Sequence, residues 1–161
     1  FEIACNADAY KNSRGELTLN IYCGFSRSAG YEIRAITPSD VTQNLVCLKD
    51  LSNLRTLALL GASDAELVHL KNLRNLEELD ISQNMVVYVP GPAVTDEGLR
   101  HLEKLVNLRG LELQGQAITD AGMMHLKGLS NLERVDLRDT GVTKAGIAKL
   151  KKALPGCEIT H

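Results

Sequence analysis

Tryptophan is missing from this chain, and aromatic residues account for only 4% of it. Platforms on which a sugar ring could stack are therefore scarce. A surplus of cations is missing too: 18 Lys and Arg stand against 20 Asp and Glu, giving a formal charge of -2 and a pI near 6.1. Phosphate binding draws its affinity from such a surplus, so nucleic acid is not expected as a partner. No apolar run approaches the roughly 20 residues that a membrane-crossing helix needs, and no membrane span is expected. The four cysteines, Cys5, Cys23, Cys47 and Cys157, form no CxxC pair, which removes zinc-ribbon and thioredoxin-like readings. A phosphate loop, a GxSxG elbow and an HExxH helix are likewise absent, and no cofactor is expected. The chain begins at Phe1 rather than at a methionine. That implies trimming, by loss of a signal peptide among other routes, and leaves secreted, periplasmic and cytoplasmic locations all open.

What the chain does have is repetition. Its 161 residues, 44% of them apolar, suit one domain. Within it "LSNLRTLALLGA" from Leu51, "LRNLEELDISQN" from Leu73, "LVNLRGLELQGQ" from Leu105 and "LSNLERVDLRDT" from Leu129 align, with starts 22, 32 and 24 residues apart. A degenerate unit precedes them from Val41. A half-repeat follows, with Leu154, Cys157 and Ile159 expected where Leu132, Val135 and Leu137 stand. In "LRGLELQG", Leu111 and Leu113 alternate with Gly110, Glu112 and Gln114, the period of a strand with one buried face. The spacing then changes to three, and Met123, Leu126, Leu129 and Leu132 form one helical stripe. Thr119 or Asp120 can cap that helix, and Gly98 or Gly122 lets its backbone approach the sheet. A single unit cannot bury its stripe, so stacking of units is what folds the chain.

Leucines at LxxLxLxxN followed by a helix resemble the leucine-rich-repeat family. The "TDEGL" and "TDAGM" variants and the terminal "KALPGCEI" are similar to short bacterial repeat proteins, and more distantly to the repeats of F-box substrate adaptors. The resemblance runs from Val41 to Ile159. It implies an α/β, right-handed, ribonuclease-inhibitor-like solenoid with a parallel concave sheet and convex helices. About four and a half repeats would occupy residues 37–161, in one structural domain with an N-terminal β-hairpin cap over residues 1–36. Within that cap "LTLNIYCGF" and Tyr31–Ala35 both alternate across "SRSAG" and read as a hairpin, with Phe1–Cys5 as a third strand. Cys5 and Cys23 then fall on apolar strand faces, where a disulfide or two buried thiols are both open readings.

His69, His101 and His125 recur once per repeat, at a position taken by Cys47 in the first helix and Lys149 in the last. Packed helices lie about 8–10 Å apart and zinc ligands about 2.0–2.1 Å from their metal. Three histidines in a file cannot readily share an ion, so the position reads as half-exposed scaffold and no metal site is expected. On the sheet, the residues between the inward leucines are Ala58, then Asp80, Glu112, Asp136 and Glu158. With strands about 4.8 Å apart, the four carboxylates form an acidic ladder down the concave face. Glu78, Gln114 and Arg138 lie beside it, and Arg134 and Arg138 would blunt its charge near Asp136. The excess of the 32-residue repeat lies in "NMVVYVPGPAV", Asn84–Val94. This is either an apolar interaction loop with Tyr88 exposed, or a small extra strand whose Val86 and Val94 plug the core where Ile118 and Val142 do. Lys144, Lys149, Lys151 and Lys152 around the last helix read either as a basic docking patch or as ordinary solvated cations near a helix C-terminus.

The leading reading is a non-catalytic protein-protein interaction module. Its contact surface would join Glu78, Asp80, Glu112, Gln114, Asp136, Arg138 and Glu158 with the Tyr88 loop, and its partner would be a protein. The second is an accessory segment of a larger protein that contacts its own neighbouring domain. The third is a carboxylate-based hydrolase or calcium site on the concave face.

Overall fold

Alternating leucines and leucines spaced by three build two different walls of each repeat. The computed structural model describes residues 7–11, 17–22, 54–83 and 93–161. Among these residues seven strands follow one another in a single sheet: β1 (Ala7–Lys11), β2 (Leu17–Tyr22), β3 (Thr56–Leu60), β4 (Glu78–Asp80), β5 (Gly110–Glu112), β6 (Arg134–Asp136) and β7 (Glu158–Thr160). The first two pair antiparallel, and every later pairing is parallel. β2 therefore has a neighbour on each edge. Its two neighbours are β1 and β3, while the strand expected at Tyr31–Ala35, the degenerate repeat from Val41 and Cys5 and Cys23 lie outside the described residues.

From β3 onward Leu57, Leu79, Leu111 and Val135 stand in register and are buried, as are Leu59, Ile81, Leu113 and Leu137 two residues later. The helical wall comprises α1 (Asp64–Leu67), α2 (Asp96–Leu99), α3 (Met123–Leu126) and α4 (Lys144–Ala153). The first three are single turns, and the first two run on into 3-10 segments, Val68–Asn72 and Arg100–Leu102. The spacing explains this. Leu67, Leu70, Leu73 and Leu76 are strictly three apart, as are Leu99, Leu102, Leu105 and Leu108, and a 3-10 helix rather than an α-helix eclipses side chains at i and i+3. Backbone bonds join those leucines to each other, Leu73 N–H to Leu70 C=O and Leu76 N–H to Leu73 C=O at 2.9 Å each. In α4 the buried Leu150 lies four residues before the buried C-cap Leu154, and ten residues of regular helix result.

The "TDxG" stretch has a different mechanism from the one its sequence suggests. The threonine is the cap: Thr95 accepts the Glu97 N–H and Thr143 those of Ala145 and Gly146. The aspartate reaches forward into the next repeat. Asp64 accepts the N–H and hydroxyl of Thr95 (2.8 and 2.7 Å), Asp96 those of Thr119 (2.8 and 2.6 Å), and Asp120 those of Thr143 (2.7 and 2.7 Å). The glycine leaves room for that aspartate. An added Cβ at Gly98, Gly122 or Gly146 would collide with Asp64, Asp96 or Asp120 respectively. In α1 the glycine position is Glu66, whose own carboxylate accepts the Ser63 N–H (2.8 Å) and hydroxyl (2.5 Å). Within α1, Glu66 thus supplies what Asp64, Asp96 and Asp120 supply to the later repeats. Lys144 takes the aspartate position in α4.

The insertion after β4 is bounded by one buried amide. Gln116, 2% exposed, accepts the Val94 N–H at 2.7 Å and donates to the Ile81 carbonyl, so it joins the two sides of residues 84–92. Val94 is fully buried, as is Ile118, and Val142 nearly so, which agrees for Val94 with the second of the two readings of the insertion. Tyr88 and the rest of the inserted segment lie outside the described residues.

Candidate functional site

The face of the sheet away from the helices carries two rows of residues set by the parallel register. Thr56, Glu78, Gly110, Arg134 and Glu158 form one row; Ala58, Asp80, Glu112, Asp136 and Thr160 form the next. One expectation is corrected here. Glu158 does not follow Asp136 in the carboxylate row but lies beside Arg134, and Thr160 is the neighbour of Asp136. "LPGCEI" spends two more residues than "LERV" between the half-repeat leucine and the inward strand position, so Ile159, not Cys157, pairs with Val135. A slip of two leaves each side chain on its own face, and Glu158 is still exposed. Cys157, displaced from the strand, is a buried free thiol whose pKa is pushed up by burial and then by Glu158.

The acidic row is therefore Asp80, Glu112 and Asp136, and its members differ. Asp80 accepts the N–H and hydroxyl of Ser82 (2.9 and 2.7 Å). Asp136 is 6% exposed and held on both oxygens by Arg138, through Nε (3.0 and 2.9 Å) and Nη2 (2.5 Å), with the Arg138 N–H adding a bond of 2.9 Å. Arg138 thereby holds the Asp136 carboxyl below the usual range, and Asp136 in turn raises the Arg138 pKa. Glu112 stands between them in partial burial, with no ion pair of its own among the described residues. Desolvation, then the charges of Asp136 and Asp80, push its pKa up.

Arg134 is drawn elsewhere. It reaches over Gly110 to pair with Glu78, two strand spacings or about 10 Å away. A Cβ at Gly110 would strike both partners. Gln114 donates to Asp139 at 2.8 Å. Asp139 itself sits in the left-handed region at φ 57°, where a short polar side chain is tolerated. Of the expected contact residues, the structure thus gathers Glu78, Asp80, Glu112, Gln114, Asp136, Arg138 and Glu158 on one face. It buries Asp136 beneath its arginine, moves Glu158 to the adjoining row and leaves Tyr88 undescribed.

The histidines are half-buried on the helical side. His125 Nδ1 lies 2.6 Å from Glu103 of the preceding repeat, while burial and then Arg100 lower the His101 pKa. Among the described residues no group of three His, Cys, Asp or Glu is placed to hold a metal ion, and no helix is long and apolar enough to cross a membrane. Sequence reasoning missed Gln116, the forward-reaching aspartates and the asparagines of "NL": Asn107 donates to the Arg74 carbonyl and Asn131 to that of Val106, both at 2.8 Å. For the aspartates and asparagines, recurrence at one position per repeat was the available signal.

Tandem leucine units, an in-register parallel sheet and one continuous leucine core define the chain as a leucine-rich-repeat solenoid. No family model matches the sequence, and no curated protein matches it either. Among solved structures it is similar to a leucine-rich-repeat protein of Leptospira interrogans, at 22% identity and a TM-score of 0.46 over 89% of this chain. Internalin C2 of Listeria monocytogenes gives 17% identity and 0.46 over 88% of the chain, and a Listeria internalin, inlF, 12% and 0.31 over 71%. The chain spans 36% of the length of the Leptospira protein, 69% of internalin C2 and 49% of the other internalin.

Proposed function

We propose that the chain is a non-catalytic protein-binding module that receives a basic surface of a protein partner on the open face of its sheet. The observation that carries this is the state of Glu112. Its neighbours are satisfied internally, Asp80 by Ser82 and Asp136 by Arg138, while the other arginine on the face is engaged by Glu78. Glu112 shares a side-chain hydrogen bond with Asp136 but has no cation of its own and is crowded by like charge, and a partner's Lys or Arg seated there relieves a repulsion that the fold itself maintains. Asp80, Gln114 and Glu158 would extend the contact, with Glu78 and Arg138 at its borders. Tyr88 belongs to the same proposal on sequence grounds alone. Asp136 serves it from behind, by holding Arg138 in place. A carboxylate hydrolase fits this face less well, since both oxygens of Asp136 are occupied by Arg138.

The test is Glu112→Lys. It places a cation between two carboxylates and should leave the melting temperature unchanged or slightly higher, so lost binding cannot be ascribed to misfolding. A partner captured by the wild-type chain should be retained at least tenfold less well, the scale of a close interfacial charge pair. Undiminished capture by a folded Glu112→Lys chain would overturn the proposal.

A further inference from the structure

On the opposite side of the molecule, α3 and α4 are separated by a groove of about 330 Å³. Its walls are apolar and its rim basic: Ala121, Met123 and Met124 face Leu150, with Lys127 on one side and Lys149 on the other. Met123 and Leu150 belong to the core, at 4% and 1% exposure, but Met124 is 59% exposed and rises beside the recess. A flexible thioether left in solvent at the edge of a groove is an adaptable contact surface. The charge around it is one-sided. The ten residues of α4 include Lys144, Lys149, Lys151 and Lys152 and no acid. Among the described residues the ion pairs employ arginine and histidine alone, so these lysines and Lys127 form no salt bridge, although the Lys149 charge reaches Asp120. The one carboxylate in the groove wall, Asp120, is bonded through its two oxygens to Thr143 and held below its ordinary pKa by those bonds.

We infer that this groove docks an acidic peptide segment of a protein partner, with an aliphatic side chain seated between α3 and α4 and carboxylates against Lys127 and Lys149. Charge complementarity selects the occupant: an apolar slot alone would take any hydrophobic stripe, whereas lysines free of salt bridges on both rims favour glutamate or aspartate flanking the anchor. The recess argues for a peptide over an anionic membrane. Its floor is reached by a side chain entering between two helices, and a planar headgroup layer would touch only the rims.

The experiment uses the full chain and a fluorescein-labelled, glutamate-rich peptide with leucine on one helical stripe, followed by anisotropy. Binding should weaken with added salt and fall about tenfold in Lys127→Glu/Lys149→Glu, and comparably in Met124→Asp, as two rim charges and one apolar contact are lost. All three positions are outside the core, and unchanged melting curves would confirm that the variants are folded. Glu112→Lys, on the other face, should bind the peptide like the wild type, which separates this inference from the proposed partner surface. Several results would overturn it. They are equal binding of a lysine-rich counterpart peptide, insensitivity to the Lys127/Lys149 exchange, or equal loss in Glu112→Lys. Lysine-dependent binding to phosphatidylserine vesicles without binding of the peptide would assign the groove to a membrane instead. Lysine-dependent self-association in sedimentation runs without peptide binding would assign it to a second copy.

Discussion

Gln116 shows how much a single buried amide does here. Its equivalent one repeat later is Thr140, whose hydroxyl needs only its own turn, donating to the Leu137 carbonyl at 2.6 Å. Gln116 instead spans to the repeat before it, where the insertion separates Ile81 from Val94, and satisfies a carbonyl and an N–H that are otherwise left in a dry interior. Truncation to alanine removes both partners. An unpaired buried group costs about 1–3 kcal/mol, so Gln116→Ala should lower the urea midpoint by the equivalent of roughly 2–6 kcal/mol if neither group finds water. Gln116→Leu, which restores the volume but not the bonds, should rescue little of this. Recovery by leucine would show that the site needs filling rather than hydrogen bonding. The sequence announces none of this, because a glutamine in a turn is ordinarily solvated. Only the length excess of the preceding repeat marks the position as special.

At the scale of the element, the recurring "TDxG" works between repeats rather than within one helix. The sequence offered the threonine or the aspartate as the cap and placed the leucine stripe in the core. It could not show that the aspartate points to the next repeat, since that contact joins residues 23 or 31 apart. The glycine was misread for the same reason: its free space is filled by the preceding repeat's carboxylate, not by the sheet. A double-mutant cycle tests the coupling. Gly122→Ala alone drives a methyl into Asp96, and Asp96→Ala alone leaves the Thr119 N–H and hydroxyl without their acceptor. With both changed, the clash is gone. Each single variant should lose about 1–3 kcal/mol, and the double variant should be less destabilised than their sum by at least about 0.5 kcal/mol. Strict additivity in denaturant melts would mean that glycine is needed there for some other reason. The register of β7 was obscured similarly. A count of leucines placed Cys157 in the strand, whereas Pro155 and Gly156 extend the turn and deliver Ile159 instead. Parity survived the slip, so the exposed face was read correctly while its rows were not.

Across the whole molecule, carboxylates hold neighbouring repeats together and also repel one another, and the two effects have opposite pH signatures. Asp120 and Asp136 have lowered pKa values, the first through hydrogen bonds from Thr143 and the second through those of Arg138. The unfolded chain binds protons at these sites before the native one does. The stability they contribute is present above their unfolded pKa and is lost as pH falls through their folded values. Glu112 is the reverse case. Its pKa is raised by desolvation and by the adjacent charges, so its favourable contribution exists below its unfolded pKa and disappears as pH rises through the folded one. Two residues paired across β5 and β6 should therefore respond oppositely to neutralisation. Glu112→Gln should be more stable than the wild type at neutral pH, with the two stability curves converging in acid. Asp136→Asn should be less stable at neutral pH by about 1–3 kcal/mol, the scale of a bond to a charged group, and should also converge with the wild type in acid. Urea titrations from neutral to acid pH on the three chains would decide this. A Glu112→Gln chain with no gain at neutral pH would remove both the repulsion in the acidic row and the reason for a cationic partner to settle there.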